Sequence, residues 1–123
     1  MDFERLLQIE AVDFVQPSVA KMGGITELLK IFPIAAVRNV ALMPHCFYEG
    51  LGLLAAIHVI AALSSADAMV EWRYFDLEAQ LYGGLMSPEN GQIKVPQGPG
   101  LGFDPDPNII RDYLRVDTAP NAT

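Results

Sequence analysis

Apolar positions along this chain fall into short runs cut by glycine, proline and small polar residues, and their spacing predicts alternating strands and helices. Residues 2–8 place Phe3, Leu6 and Leu7 on one face of a short helix. The next segment, Ala11-Val12-Asp13-Phe14-Val15-Gln16-Pro17, is short, rich in Val and Phe and closed by a proline, which predicts a β-strand. After a Gly23-Gly24 loop, residues 25–31 have helical spacing with Glu27 near the start, and Pro33 is expected to kink or shorten this helix. Residues 40–43 give a second strand. The nearly all-apolar run 51–63, opened by Gly50 and Gly52, gives a buried helix. Ser64-Ser65-Ala66-Asp67 breaks that helix, and residues 68–71 make a third short strand.

Strand, helix, strand, helix, strand implies a parallel sheet with right-handed crossovers and both faces buried. Parallel strands bring their C-terminal ends to one edge. At those ends stand Ser18, just past Pro17, then His45, after Met43-Pro44, and Glu71. Catalytic groups cluster at that face in βα-repeat enzymes. From residue 77 the chain changes character, with Gly83-Gly84, Pro88, Gly91, Pro96 and Gly98-Pro99-Gly100-Leu101-Gly102 punctuating it. Within this part, residues 92–95 read as a short strand, 108–114 as a last helix after Pro107, and 117–123 as a loose tail. Residues 1–76 are thus a βα portion, and 77–123 a C-terminal return segment of the same domain.

Composition narrows the function classes. A chain of 123 residues that is 51% hydrophobic can bury one modest core. Its formal charge of -7, with basic residues scattered singly, offers no stripe to follow a phosphate backbone, so nucleic-acid binding is not expected. The single cysteine, Cys46, excludes an intrachain disulfide and a thiolate metal cluster, and fits a reducing, cytoplasmic setting. The acidic, mixed start Met1-Asp2-Phe3-Glu4-Arg5 is unlike a secretory signal. The run 51–63 carries His58 and is shorter than the ~20 residues needed to cross a bilayer, so no membrane association is expected.

Among the polar residues, His45 and Glu71 carry the functional reading. A histidine at a strand end can be a backbone-bonded core residue or a proton-transfer group. A carboxylate directly after an apolar strand is costly unless something pairs with it or binds there; Arg73 is the structural candidate for a partner. His58, between Ile57 and Val59 within a helix, reads as structural. Cys46 follows His45 directly, and adjacent side chains on an extended chain point apart, so it reads as an apolar filler and not a nucleophile. The glycine pairs match no phosphate-loop fingerprint, and Asp104-Pro105-Asp106 lacks calcium-loop spacing and reads as a solvated turn.

Four stretches taken in order resemble one family. They are Gln16-Pro17-Ser18-Val19-Ala20-Lys21-Met22-Gly23-Gly24-Ile25-Thr26-Glu27, the Met43-Pro44-His45 corner, Val70-Glu71, and Ile93-Lys94-Val95-Pro96 followed by Gly98-Pro99-Gly100-Leu101-Gly102. Together they resemble the C-terminal part of the enolase superfamily, in its mandelate racemase branch with the acid-sugar dehydratases. The resemblance implies an α/β fold, a partial (β/α) barrel whose three parallel strands are strands six to eight of the family barrel.

It also implies chemistry: abstraction of a proton α to a carboxylate, with the enediolate held on magnesium. By this resemblance His45 falls on the family's histidine base or acid, and Glu71 on the acid that hydrogen-bonds the carboxylate or enediolate oxygen. Ser18 falls where a His-Asp dyad has its aspartate, and a serine cannot set a charge against imidazolium. The family's metal-ligand carboxylates and its strand-two lysine lie on earlier strands, so this chain alone is expected to bind no magnesium. The chain therefore reads as the C-terminal barrel fragment of a magnesium-dependent dehydratase, cycloisomerase or racemase acting on a hydroxy-acid or acid-sugar substrate, inactive without its N-terminal half. The alternative is a non-catalytic, truncated βα module that self-associates through open strand edges and apolar surface.

Overall fold

The computed structural model describes residues 3–63 and 69–115. Its elements are α1 (Phe3–Gln8), β1 (Phe14–Val15), α2 (Ile25–Ala36), β2 (Ala41–Leu42), α3 (Leu51–Leu63), a 3₁₀ turn (Gly83–Met86) and α4 (Pro107–Tyr113). The strands are parallel, with Phe14 beside Ala41 and Val15 beside Leu42. Further rungs carry the pairing toward the strand ends: Met43 N–H donates to the Val15 carbonyl at 3.0 Å, and His45 N–H to that of Pro17 at 3.1 Å. These rungs set Ser18 and His45 side by side on neighbouring chain segments.

The third expected strand does not form among the described residues, and the breaker 64–67 and Ala68 lie outside them. Residues 69–71 run beside the end of β2, where Glu71 N–H donates to the Pro44 carbonyl at 3.2 Å, yet they are not a regular strand. A ladder needs N–H and C=O from both partners, and Pro44 has no N–H to return. The short segment 92–95 likewise reduces to one antiparallel bridge, Glu89 with Gln92. The expectation of a sheet buried on both faces is corrected too. Val15 is buried but Phe14, on the opposite face, is 48% exposed.

Helix α2 runs through Pro33 to Ala36, longer than the spacing predicts. A proline within a helix removes one hydrogen bond and costs about 3 kcal/mol relative to alanine. Here its ring lies on the exposed side while Ile31, Ile34 and Ala35 pack with Leu7 and Val15, so burial of the helix's other face outweighs the break. Helix α3 matches its predicted span. It is apolar all round and buries Leu53, Leu54, Ala55, Ala56, Ile57, Val59 and Ile60, as such a helix must.

Around α3 the main core gathers Val19 and Leu28 from one side, Cys46 from the β2 end, and Tyr82 and Met86 from the return segment. His58 ties α3 to the return segment by bonding the Leu101 carbonyl through Nε2 at 3.0 Å, the structural role expected of it. Asp106, expected in a solvated turn, instead caps α4: its carboxylate accepts from Asn108 N–H at 2.8 Å, with Pro107 at the first helical position. The tail 117–123 lies outside the described residues. No described helix is long and apolar enough to cross a membrane.

Candidate active site

Ser18, His45 and Glu71 come together at the C-terminal end of the strands, but not in the pairing that the sequence suggests. His45 Nδ1 lies 2.5 Å from Glu71 Oε2, with both side chains about a quarter exposed, at 28% and 21%. The same oxygen accepts from Cys46 N–H at 3.2 Å, so backbone and imidazole both fix the carboxylate. A carboxylate only accepts, so Nδ1 carries the proton and Nε2 is the nitrogen left to face outward. The serine in place of an aspartate was expected to deprive His45 of an orienting charge. Glu71 supplies that charge from the neighbouring segment.

Ser18, itself buried, hydrogen-bonds to Tyr48 and not to His45, its hydroxyl 2.7 Å from the phenol oxygen. Tyr48 in turn lies edge-on to the His45 ring at 6.0 Å between centroids, and Phe47 lies at 5.8 Å, so two aromatic rings wall the imidazole. Gly52 makes this approach possible. A Cβ there would stand 2.5 Å from Tyr48 Cε2, closer than packed carbons come, so any larger residue would push the tyrosine off Ser18.

Arg73, the structural candidate to pair with Glu71, is committed elsewhere. Its Nε lies 2.6 Å from Glu49 Oε1, with side chains 8% and 12% exposed, its NH1 donates to the Phe75 carbonyl, and its guanidinium stacks over Trp72. This buried pair anchors the segment carrying Glu71 to the turn after His45. Glu71 is thereby left to the histidine.

Lys21 is the neighbour that sequence reasoning misses. Its Nζ lies 3.4 Å from His45 Nε2, while its backbone N–H bonds back to the Ser18 carbonyl at 3.1 Å. Lys21 and Tyr48 each stand three residues after a recognised site residue. A turn folds Lys21 back over the end of β1, and Tyr48 is drawn to the same place by its bond to Ser18; no periodic signal in the sequence announces either.

Cys46 shows why the residue beside His45 is no nucleophile. Burial, with the Glu71 charge adding to it, pushes the thiol up to about 12. No useful thiolate exists near neutral pH. The folded value lies above the free thiol's 9.0, so the protonated thiol's contribution to stability is complete below pH 9 and is lost as pH rises from there toward about 12. Urea unfolding followed across that range is expected to show a stability decline in the native chain that Cys46→Ala makes shallower, by up to about 1.4 kcal/mol per pH unit. Equal slopes in both proteins would contradict this placement of the thiol.

A hard divalent cation does not fit these side chains. It needs several oxygen ligands in one place, whereas here Glu71 Oε2 already faces two donors, Ser18 is bonded to Tyr48, and Lys21 adds a positive charge. Among the described residues, no three His, Cys, Asp or Glu side chains group as a metal site would require.

Comparison with known proteins places the chain in a family of matching fold class. The family model described as Enolase C-terminal domain-like matches residues 1–109, and the chain belongs to that family. It is 34% identical to an arabinonate dehydratase from Saccharolobus solfataricus over 112 residues, covering 91% of this chain and 30% of the relative. Among solved structures it superimposes, with a TM-score of 0.78 and 34% identity, on a protein assigned as a mandelate racemase from Bordetella bronchiseptica in complex with 2-oxoglutarate/phosphate. That match covers 89% of this chain and 30% of the other. The 3,6-anhydro-D-galactonate cycloisomerase from Zobellia galactanivorans gives a TM-score of 0.73 at 34% identity, covering 93% and 32%. The chain thus spans about a third of the length of the proteins it matches.

Proposed function

We propose that this chain is the C-terminal barrel portion of an enzyme that removes a proton α to the carboxylate of a hydroxy-acid or acid-sugar substrate, and that His45 carries the proton. The observation that supports this most is the His45–Glu71 contact at 2.5 Å. Glu71 holds the proton on Nδ1, so Nε2 offers its lone pair to the substrate's Cα–H. The C–H bond breaks, the proton passes to Nε2, and the electron pair moves into the carboxylate to give an enediolate. In a dehydratase the proton then leaves His45 for the departing hydroxyl; in a racemase the opposite face of the carbon takes its proton from a second acid, which would lie outside this chain. Ser18 acts through Tyr48, whose ring helps to fix the imidazole plane.

Magnesium, where the complete enzyme uses it, would stabilise the enediolate and would be held by carboxylates outside this chain. The chain alone is therefore expected to be inactive. Exposed apolar groups along its sheet side, Phe14 among them, are surface that the preceding units of a full barrel would cover. That same surface favours the second reading, a truncated module that covers it by self-association. Light scattering separates the two, since a stable monomer counts against the module.

The test of the first reading joins this segment to the N-terminal half of a family relative and measures turnover of hydroxy-acid substrates, with His45→Asn beside the unaltered segment. Turnover that survives His45→Asn would remove the role given to His45.

A further inference from the structure

We infer that Lys21 binds the carboxylate of an anionic hydroxy-acid ligand, and that in the free protein its ammonium caps the very nitrogen that such a ligand needs. The inference rests on His45 as the proton-transfer group and adds the group that brings an anion to it. An ammonium only donates, so the 3.4 Å contact with His45 Nε2 makes Nε2 the acceptor, in agreement with a proton on Nδ1 facing Glu71. Nε2 is therefore occupied in the free chain and opens only when Lys21 turns away.

Charge says what turns it. An anion approaching His45 meets the Glu71 carboxylate on a chain of formal charge -7, so it needs a cation at the same place. Arg73, on the segment after Glu71, is buried against Glu49 and the Phe75 carbonyl and has no reach to spare. Lys21 is exposed, carries a flexible stem and three donors, and keeps its backbone pinned to the Ser18 carbonyl while the side chain swings. A ligand carboxylate that draws the ammonium to itself uncaps Nε2 and sets the neighbouring Cα–H toward it. A neutral polyol of the same shape has no charge to move the lysine and leaves Nε2 capped.

The test uses the 123-residue chain labelled with ¹⁵N, whose two histidines report separately in long-range imidazole spectra. Sodium gluconate is titrated at fixed ionic strength, with glucitol as the uncharged control. Gluconate is expected to shift the His45 signals and glucitol to leave them in place. His58, held at the Leu101 carbonyl, serves as the check on the fold. Lys21→Met is expected to weaken the gluconate response about fivefold or more, Lys21→Arg to keep most of it, and added salt to diminish it. A gluconate response equal in Lys21→Met and the native chain overturns the inference, as does the absence of any His45 response in the native chain. Because this reads binding and the joined barrel reads turnover, either result can fail alone. Lys21-dependent binding with turnover surviving His45→Asn would remove only the proton-transfer role. Loss of turnover in His45→Asn with binding indifferent to Lys21 would remove only the role of Lys21.

Discussion

In a barrel completed with a relative's N-terminal half, His45→Asn is expected to lower turnover of a hydroxy-acid substrate by about 10²–10⁴-fold, the range that a positioned acid–base group contributes. The asparagine amide can still take a hydrogen bond from its surroundings and roughly fills the imidazole's place, so binding should change far less than turnover. That split matters. A substitution that merely disturbed the strand end would weaken substrate binding along with the rate, whereas loss of a proton carrier falls on the chemical step. The backbone side of the site should survive, because the bonds of His45 N–H to the Pro17 carbonyl and of Cys46 N–H to Glu71 do not involve the imidazole.

The largest expected loss of stability lies at Arg73. Its pair with Glu49 is buried, its NH1 satisfies the Phe75 carbonyl, and its guanidinium covers Trp72. Arg73→Met keeps much of the packing but leaves the Glu49 carboxylate buried without a partner, at a cost of about 3–5 kcal/mol. Urea denaturation would read this as a lowered midpoint. Adding Glu49→Gln to Arg73→Met should recover a good part of the loss, because the stranded charge is then gone. Recovery of nothing would mean that Arg73 acts through Phe75 and Trp72 alone. The expected loss also bears on the site, since this pair holds the Glu71 segment against the turn that follows His45.

Local pattern made the helices legible. The run 51–63 has one reading, since a helix apolar on every side can only be buried, and its bounding glycine set the start. Helix α2 outran its expected end because proline's local cost is small beside the burial of Ile31, Ile34 and Ala35, which depends on Leu7 and Val15 far away in sequence. The third strand was misread for a similar reason. Residues 69–71 have strand composition, but the neighbour they meet is Pro44, which cannot complete a ladder.

For the site, alternation of strands and helices was enough to bring Ser18, His45 and Glu71 to one edge. It could not say which of them touch. Arg73 stands two residues from Glu71 and looked like its natural partner, yet the chain after Glu71 is not a regular strand, and Arg73 turns to Glu49. Lys21 and Tyr48 stayed hidden because their places depend on turn geometry after the strand ends, which no periodicity records.

Glu71 holds the proton at His45 Nδ1 so that Nε2 is the nitrogen presented, and a long-range ¹H–¹⁵N spectrum of the chain's imidazoles tests this most directly. The predicted result is a protonated Nδ1 and an unprotonated Nε2 for neutral His45, a preference that Glu71→Gln weakens while the His58 signals stay in place. A neutral His45 with its proton on Nε2, or a spectrum indifferent to Glu71→Gln, would contradict it.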